Sequence, residues 1–254
     1  MSDREAPHDE RSATLPNALI HRLMAVPAGR SLMTRLAHSP VIPAVSGVDA
    51  LEGFLDSPTE SCLLGGLSVI ALQRALTQLI AADIHPLVNL DSLSGLSRDR
   101  AGLDWLQAMG VTGLVTTRLS LLQSAPHYGF LAIQTLVLGG ASLVDSALSA
   151  LESAHAGLAL VAPAPVLGRL DPAALPKLQP FLASGFVRNV DDVDDALAHG
   201  AIGVTSSARG LCGATSENAA ERDAPECGAP PRDPPATAAG RYRAARPGPR
   251  CCRG

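Results

Sequence analysis

Residues 181–207 read FLASGFVRNVDDVDDALAHGAIGVTSS and contain one complete strand–helix–strand unit. Two short apolar runs, Phe181–Ser184 and Ala201–Thr205, stand on either side of a segment with helical spacing, Asn189–His199. That segment has four Asp residues in its first turns and is followed by Gly200, which is the arrangement typical of a helix start and a helix end. Two strands joined in this way run parallel in one sheet, so the stretch predicts an α/β fold.

The same alternation of apolar runs and helical segments extends back to residue 40. Eight runs have the length and composition of buried strands: Val41–Val45, Ser61–Gly65, Pro86–Leu90, Gly113–Thr117, Phe130–Val137, Leu158–Ala162, Phe181–Ser184 and Ala201–Thr205. Eight units without a long interruption favour a compact (β/α)8 TIM-type barrel over an open parallel α/β sheet, which is the alternative. The 174 residues from 40 to 213 are fewer than the roughly 200 of a small barrel, so we expect short helices and a last helix that is incomplete or missing.

Individual helices are predicted from their spacing and caps. After Ser68, apolar residues recur three and four positions apart and predict one core-facing stripe: Val69, Leu72, Leu76, Leu79 and Ile80. Asp99 and Ser142 are suited to cap two further helices. The stretch from Leu15 to Leu36 predicts one or two amphipathic helices, which we expect to close the barrel bottom or to pair subunits; a helix-turn-helix DNA reader is disfavoured by its few basic residues.

Charge divides the chain into three parts. Residues 1–39 carry a net charge of +1, residues 40–213 carry −7 and residues 214–254 carry +2. The last part is rich in Pro and Arg and has no apolar periodicity, so burial cannot offset the entropy of ordering it. We therefore predict a partly helical N-terminal extension (1–39), a barrel domain (40–213) and a disordered tail (214–254). The small charge of the tail argues against a nucleic-acid-binding arm.

Several classes of protein are excluded by the sequence. No apolar run is long enough to span a bilayer, and the first residues lack the pattern of a secretory signal, so we expect a cytoplasmic protein without a membrane partner. The five Cys residues have no CxxC spacing. Cys62 and Cys212 lie in apolar segments, which indicates core thiols rather than a disulfide framework or metal site. We expect no cofactor.

The loops that follow the strands form the working face of such a barrel. Six of the seven arginines of the barrel domain are predicted there, and we call them the arginine rim: Arg98, Arg100, Arg118, Arg169, Arg188 and Arg209. Arginines gathered on one face of an acidic domain favour an anionic ligand at that face.

Two turns of small residues make the prediction more specific. Ser184 ends the seventh strand and Gly185 follows it, and Ser206 and Ser207 follow the eighth. Backbone N–H groups at such turns converge on a phosphate, Gly185 allows close approach, and the serine hydroxyls add donors. The turns therefore predict a phosphate-binding site, which identifies a ligand class and not a reaction.

A catalytic set is not predicted. Asp91 ends the third strand, where it suits either a ligand hydroxyl or a base, or equally a cap. His85 is expected to precede the third strand and His199 to end a helix, so neither belongs to the working face. Lys177, the one lysine, lies near a helix C-terminus and is poorly placed for a Schiff base. These residues give no positive case for an enzyme.

Five segments occur in the order and spacing of a known family: Val41-Ile-Pro-Ala-Val45, Gly113-Leu-Val-Thr-Thr-Arg118, Ala132-Ile-Gln134, Ala183-Ser-Gly-Phe-Val-Arg188 with Asp191-Asp-Val, and Gly200-Ala-Ile-Gly-Val-Thr-Ser-Ser207. Together they resemble the glycerol-3-phosphate responsive antiterminator family of bacterial regulators, over about residues 40–212. The resemblance implies a non-enzymatic barrel protein that binds glycerol 3-phosphate and the leader mRNA of glycerol-utilisation operons and prevents premature transcription termination. It also implies that Ser184, Gly185, Ser206 and Ser207 hold the phosphate and that Asp91 and Arg118, with Arg188 of the arginine rim, face the ligand.

The chain departs from the family's pattern at several positions of the working face. Asn89 stands for the His of a His-x-Asp pair, Thr135 for an Arg, Gly139 for an acid and Ser184 for the first Gly of a pair. The alternative is therefore a phosphate-binding barrel enzyme or sensor for a different phosphorylated metabolite, without RNA. The seven aromatic residues and the acidic barrel give no independent sign of RNA binding. A homo-oligomer is a further expectation.

Overall fold

Eight parallel strands form a closed barrel in the computed structural model, which describes residues 10–55, 59–139 and 143–211. Each strand pairs with the next, and β8 returns to β1 in the register Val41↔Val204. The strands are β1 (Val41–Val45), β2 (Ser61–Leu64), β3 (His85–Asn89), β4 (Gly113–Thr116), β5 (Leu131–Val137), β6 (Leu158–Ala162), β7 (Phe181–Ser184) and β8 (Gly203–Ser206). The predicted (β/α)8 TIM-type barrel is confirmed, and the open sheet is wrong.

Helices connect the strands and surround the barrel. They are α1 (Glu10–Ala25), α2 (Pro27–His38), α3 (Val48–Leu55), α4 (Val69–Ala81), α5 (Arg100–Ala108), α6 (Leu119–Ser124), α7 (Val144–Ala154), α8 (Leu175–Leu178) and α9 (Val190–Ala198). Helices α6 and α8 have only 6 and 4 residues, as the short barrel requires. The described chain ends in a 3₁₀ turn after β8, Arg209–Leu211. The predictions for the last helix, Cys212 and the tail lie outside the described residues.

Helix starts follow the predicted caps. The Ser68 hydroxyl accepts a hydrogen bond from Ala71 N at the start of α4, and Asp99 accepts one from Gly102 N at the start of α5. The stripe of α4 is buried at Leu72, Leu76 and Leu79, whereas Ile80 is 48% exposed. Ile80 is the edge of the stripe and turns towards solvent. Ser142 lies outside the described residues.

Helices α1 and α2 cover the lower end of the barrel. Leu23, Leu32 and Leu36 of these helices are at most 6% exposed and belong to one apolar cluster with inward residues of the strands. We call this cluster the floor; its strand residues are Ile42, Leu63, Leu87, Val115, Leu131, Ile133, Leu158, Leu160 and Leu182. The two helices approach closely at Gly29, where a Cβ atom would overlap the carbonyl oxygen of Leu23. The N-terminal helices therefore close the barrel bottom.

Polar contacts fix α2 against the strand starts. Arg35 donates to the carbonyl oxygens of Glu60 (2.8 Å) and Asp83 (3.1 Å), and the Ser31 hydroxyl contacts Nδ1 of His85 at 3.1 Å. The expectation that His85 precedes the third strand is wrong by one residue, because β3 begins at His85. Burial, followed by the charge of Arg35, lowers the pKa of His85 to about 4. The neutral imidazole is therefore the form that fits beneath α2.

Candidate functional site

Small uncharged residues surround the barrel axis at the carboxyl ends of the strands. Successive side chains of a strand alternate between its two faces, so residues two positions beyond the floor also point inward. Hydroxyl or amide side chains occupy these positions on β3, β5 and β7, the position directly after β4, and the position on β8 two beyond Gly203, which faces the floor. We call these residues the mouth: Asn89, Thr117, Thr135, Ser184 and Thr205. The mouth therefore offers hydrogen-bond donors and acceptors without a fixed charge.

The β7–β8 side of the mouth contains the predicted phosphate turns. Ser184 and Thr205 are paired residues of neighbouring strands, and the Thr205 hydroxyl donates to Ser184 Oγ at 2.8 Å. Because Ser184 Oγ accepts this bond, its own proton remains for a ligand. Gly185 has a φ of +79°, which places the turn in the left-handed region that glycine adopts readily. Ser207, one residue beyond β8, is exposed.

Ser206 has a structural part in these turns. It is 3% exposed, its hydroxyl donates to the carbonyl oxygen of Val187 at 2.6 Å, and it accepts from Ala208 N at 3.0 Å. Its proton is therefore already used to join the two loops. The side chain holds the shape of the turns, whereas the sequence analysis expected it to donate to the ligand.

The start of α9, beside the same turns, is satisfied by its own side chains. Asn189 accepts from Asp192 N, and Asp192 accepts from the backbone N–H groups of Arg188 (2.8 Å) and Asn189 (3.3 Å). A carboxylate thus occupies the position where a helix N-terminus would bind an anion. An anion at this side is therefore best held by the turns at Gly185 and Ser207 rather than by the helix end.

The β3–β4 side of the mouth is organised by Asp91. Its carboxylate accepts from Thr116 Oγ1 (2.7 Å), Thr117 N (2.6 Å) and Thr117 Oγ1 (2.9 Å). Arg118 Nε lies 3.7 Å from Asp91 Oδ1, but its side chain is 53% exposed, so the ion pair is weak. The cap of the turn after β3 is Asn89, whose side chain accepts from Asp91 N. Asp91 therefore fixes the end of β4 and the position of Arg118.

The arginine rim does not form one group. Arg98 donates to the carbonyl oxygens of Leu90, Asp91 and Leu93 and so stabilises the β3 loop. Arg209 lies over α3, because a Cβ atom on Gly53 would meet its Nη1 at 2.8 Å.

Arg169 lies down the flank of the barrel, away from the mouth. Its neighbour Gly168 lies beside His199, which follows the C-terminal end of α9 near the start of β8. The prediction that Arg169 lies on the working face is therefore wrong. Arg100, Arg118 and Arg188 keep exposed side chains beside the carboxyl ends of the strands.

Several residues of the site escaped the sequence analysis. The sequence pattern marks Thr205 only as a strand residue, although its side chain is buried and donates a hydrogen bond to Ser184. Thr116 and Thr117 were read only as part of a motif, although they hold Asp91. The available signal was the register, since Asn89 pairs with Val115 and brings Asp91 next to these threonines.

Two further concave features of the described residues lie on the flank of the barrel, away from the mouth. A groove of about 750 Å³ lies on the flank between α5 and α6, lined by residues that include Arg100, Gln107, His127 and Tyr128. Lys177 lies on α8, on the outside of the barrel, and lines a shallow depression with Asp145 and Asp171. Among the described residues, no three His, Cys, Asp or Glu side chains are grouped as metal ligands require. None of the described helices is long and apolar enough to cross a membrane.

Comparisons with known proteins agree with this architecture. A family model described as "Glycerol-3-phosphate responsive antiterminator" matches residues 41–212. The glycerol uptake operon antiterminator regulatory protein of Listeria monocytogenes is 23% identical, with a TM-score of 0.61 over 66% of this chain and 91% of that one. A glycerol uptake operon antiterminator-related protein of Thermotoga maritima is 19% identical, with a TM-score of 0.58 over 68% and 98%.

The fold is also that of enzymes. A deoxyribose phosphate aldolase from Aeropyrum pernix is 13% identical, with a TM-score of 0.53 over 77% of this chain and 95% of that one. No curated protein matches the sequence. The solved structures share the barrel, which by itself carries no function.

Proposed function

The chain belongs to the glycerol-3-phosphate responsive antiterminator family, and we propose that it binds glycerol 3-phosphate at the mouth of its barrel and leader mRNA of glycerol-utilisation operons. The family is one of regulators. In this proposal, ligand binding favours the conformation that binds RNA and so prevents premature transcription termination. The protein acts where transcripts are made, in the cytoplasm. Pairing of two copies remains a prediction.

The observation that carries the proposal is the meeting of two turns on neighbouring strands. Ser184–Gly185 after β7 and Ser207 after β8 lie side by side, joined by the Thr205–Ser184 and Ser206–Val187 hydrogen bonds. A phosphate binds there through hydroxyl and backbone N–H donors. These donors take the place of a cation, because the inward positions of the described strands carry no Lys or Arg. Ser206 supports the turns from behind.

The glycerol part of the ligand points to the opposite side of the mouth. Asn89, Thr117 and Thr135 offer hydrogen-bonding groups to its two hydroxyls. Asp91 acts here as a positioning residue, because its carboxylate already accepts three hydrogen bonds from the end of β4. Arg118 and Arg188 stand on the rim, where they meet anionic groups that approach from outside.

A filter-binding titration tests the proposal. A leader transcript of a glycerol-utilisation operon is titrated with the full chain at low salt, with and without glycerol 3-phosphate, and an unrelated transcript serves as control. We expect binding of the leader that strengthens with glycerol 3-phosphate and weakens with salt. Absence of binding in both arms would overturn the RNA part. Separate calorimetry with glycerol 3-phosphate tests the ligand part.

The second candidate is a phosphate-binding barrel that acts on, or senses, another phosphorylated metabolite without RNA. The departures at Asn89, Thr135 and Gly139 favour it, because they change groups around the mouth, while Ser184, the departure within the phosphate turns, still offers a hydroxyl to a phosphate. A Schiff-base mechanism lacks its lysine, since Lys177 is on the flank. Turnover of a phosphorylated metabolite that is lost in Asp91→Asn, without RNA binding, would establish this candidate instead.

A further inference from the structure

Half of the large exposed apolar side chains stand beside the mouth. Of the eight large hydrophobic residues that the described part of the chain exposes, four stand beside the mouth, and we call them the apolar rim: Leu119 (45%), Val137 (69%), Leu143 (44%) and Phe186 (67%). The other four lie on α1, at the barrel bottom, and on α4. Apolar side chains clustered at a functional face indicate contact with a partner.

Phe186 is the most unusual of these residues. It has a φ of +62°, a conformation that a bulky residue adopts only at a cost of about 1–3 kcal/mol. Glycine would remove that strain, and two thirds of the phenylalanine ring gains nothing from burial. The strain therefore indicates a use for the ring that lies outside the fold itself.

The loop around Phe186 is held firmly on both sides. Gly185 O accepts from Ala164 N at 3.3 Å, and Val187 O accepts from Ser206 Oγ at 2.6 Å. Val187 itself is 4% exposed and anchors the loop in the core. Asp192 fixes the next backbone N–H, that of Arg188, at 2.8 Å. The aromatic ring is thus presented to solvent by a fixed backbone, with little ordering cost when a partner binds.

The chemistry of the rim favours single-stranded RNA as that partner. Arg118 precedes Leu119 directly, and Arg188 lies two residues after Phe186, so each side of the mouth pairs an exposed apolar residue with an exposed guanidinium. An unstacked base lies flat on an aromatic ring, and arginines bind the adjacent phosphates. A second copy docked symmetrically on this rim would instead bring the same arginines towards each other.

We propose that Phe186 is the stacking platform for a base of the bound RNA, that Arg188 beside it holds a flanking phosphate, and that Arg118, across the mouth, holds a phosphate further along the RNA strand. This inference rests on the proposed RNA-binding function. It locates the RNA directly above the phosphate turns, since Phe186 is the neighbour of Gly185. A ligand that binds at Gly185 therefore contacts the residue next to Phe186, so ligand binding can shift the position of the RNA-binding ring.

The test replaces Phe186 with Gly, which removes the ring and relieves the backbone strain. The probe is the leader transcript with 2-aminopurine, a fluorescent base, at single-stranded positions. We expect Phe186→Gly to fold at least as stably as the wild type, to weaken RNA binding about tenfold or more and to remove the fluorescence change. Phe186→Tyr, which keeps an aromatic ring, should retain the RNA affinity and the fluorescence change of the wild type. Ile80→Ala, which removes a half-exposed apolar residue from the last turn of α4, at the opposite end of the barrel, is the matched control and should change neither RNA affinity nor fluorescence.

The outcomes separate this inference from the proposed function. If the wild type binds the leader and Phe186→Gly binds it equally well, the stacking platform is wrong while the proposed function stands. Absence of RNA binding by the wild type overturns both. If Phe186→Gly turns a wild-type dimer into a monomer at unchanged RNA affinity, the apolar rim is a subunit contact. If only glycerol 3-phosphate affinity falls, Phe186 covers the ligand and the inference is again overturned.

Discussion

The two ends of the barrel interior are built from the same strands but differ in chemistry. At the floor, the inward residues are large and aliphatic, as in Leu158 and Leu182, and the α1–α2 pair seals them with Leu32 and Leu36. Two positions further along the strands, the inward residues are small and polar, as in Ser184. Close packing at the floor provides stability, which leaves the mouth free to keep uncharged hydrogen-bonding groups for a ligand.

The comparison predicts unequal costs for truncating the two ends. Leu32→Ala removes a side chain that is 1% exposed and leaves a cavity in the floor, so we expect the free energy of unfolding to fall by about 3 kcal/mol. Thr135→Ala at the mouth should cost less than about 1 kcal/mol, because it empties no packed cavity. Urea unfolding followed by circular dichroism measures both variants. Equal losses would mean that the floor is not the stabilising end.

Gly185→Val should distort the turn at the mouth and leave the packing of the floor unchanged. A β-branched residue resists a φ of +79°, so the turn must change and the affinity for glycerol 3-phosphate should fall about tenfold or more. Strain, rather than collision, is the reason, because a Cβ atom there would lie 3.8 Å from the nearest atom, Pro163 Cα. Isothermal titration calorimetry measures the affinity.

Gly129→Val is the matched control for this change. Gly129 has a φ of +76° and open space around its Cβ direction, but it precedes β5 at the opposite end of the barrel. Both variants should lose about 1–2 kcal/mol of stability, and only Gly185→Val should lose ligand affinity. Unchanged affinity in Gly185→Val would refute the phosphate turns.

Asp91→Asn changes the β3–β4 side of the mouth, and its effect on ligand affinity can be compared with that of Gly185→Val on the β7–β8 side. The amide cannot accept all the bonds that the carboxylate accepts, since its nitrogen would face a donor, so stability should fall by about 1–2 kcal/mol. The end of β4 then loses its fixed position, and glycerol 3-phosphate affinity should fall less than in Gly185→Val. Asp104→Asn, on the exposed face of α5, should change neither. Loss of ligand affinity at unchanged stability would show a direct ligand contact by Asp91.

A smaller effect concerns the pH dependence of the free energy of unfolding, through His85 beside the floor. The pKa of His85 is about 4 in the folded protein, below the ordinary 6.5, so the unfolded chain binds the proton more readily. The neutral imidazole of His85 therefore makes its full contribution to the free energy of unfolding above pH 6.5, and this contribution is lost as the pH falls towards 4. Because the site is partly open to solvent, we expect this loss to be about 1 kcal/mol.

The matched experiment compares wild type and His85→Asn in thermal melts between pH 7.5 and pH 4.5. The melting temperature of the wild type should fall more steeply than that of the variant over this range. Parallel curves would contradict the role of the neutral imidazole under α2.

The fold was predictable from the sequence further than the site was. All eight strands were located within two residues, because apolar runs and caps such as Asp99 are local signals. The hydrogen bonds of Asp91 and Ser206 have no local sequence signal, since each joins segments that become neighbours only when the strands pair. The wrong placement of Arg169 has the same cause, because a residue after a strand can still follow its loop down the flank.

The register between β8 and β1 also has a kinetic consequence. Val204 pairs with Val41 across most of the described chain, so of all the strand pairings this seam closes the longest loop, and we expect it to form last. The phosphate turns lie directly beside this seam. A ligand that binds there stabilises the last-closing part of the molecule, and it should slow unfolding more than it speeds folding.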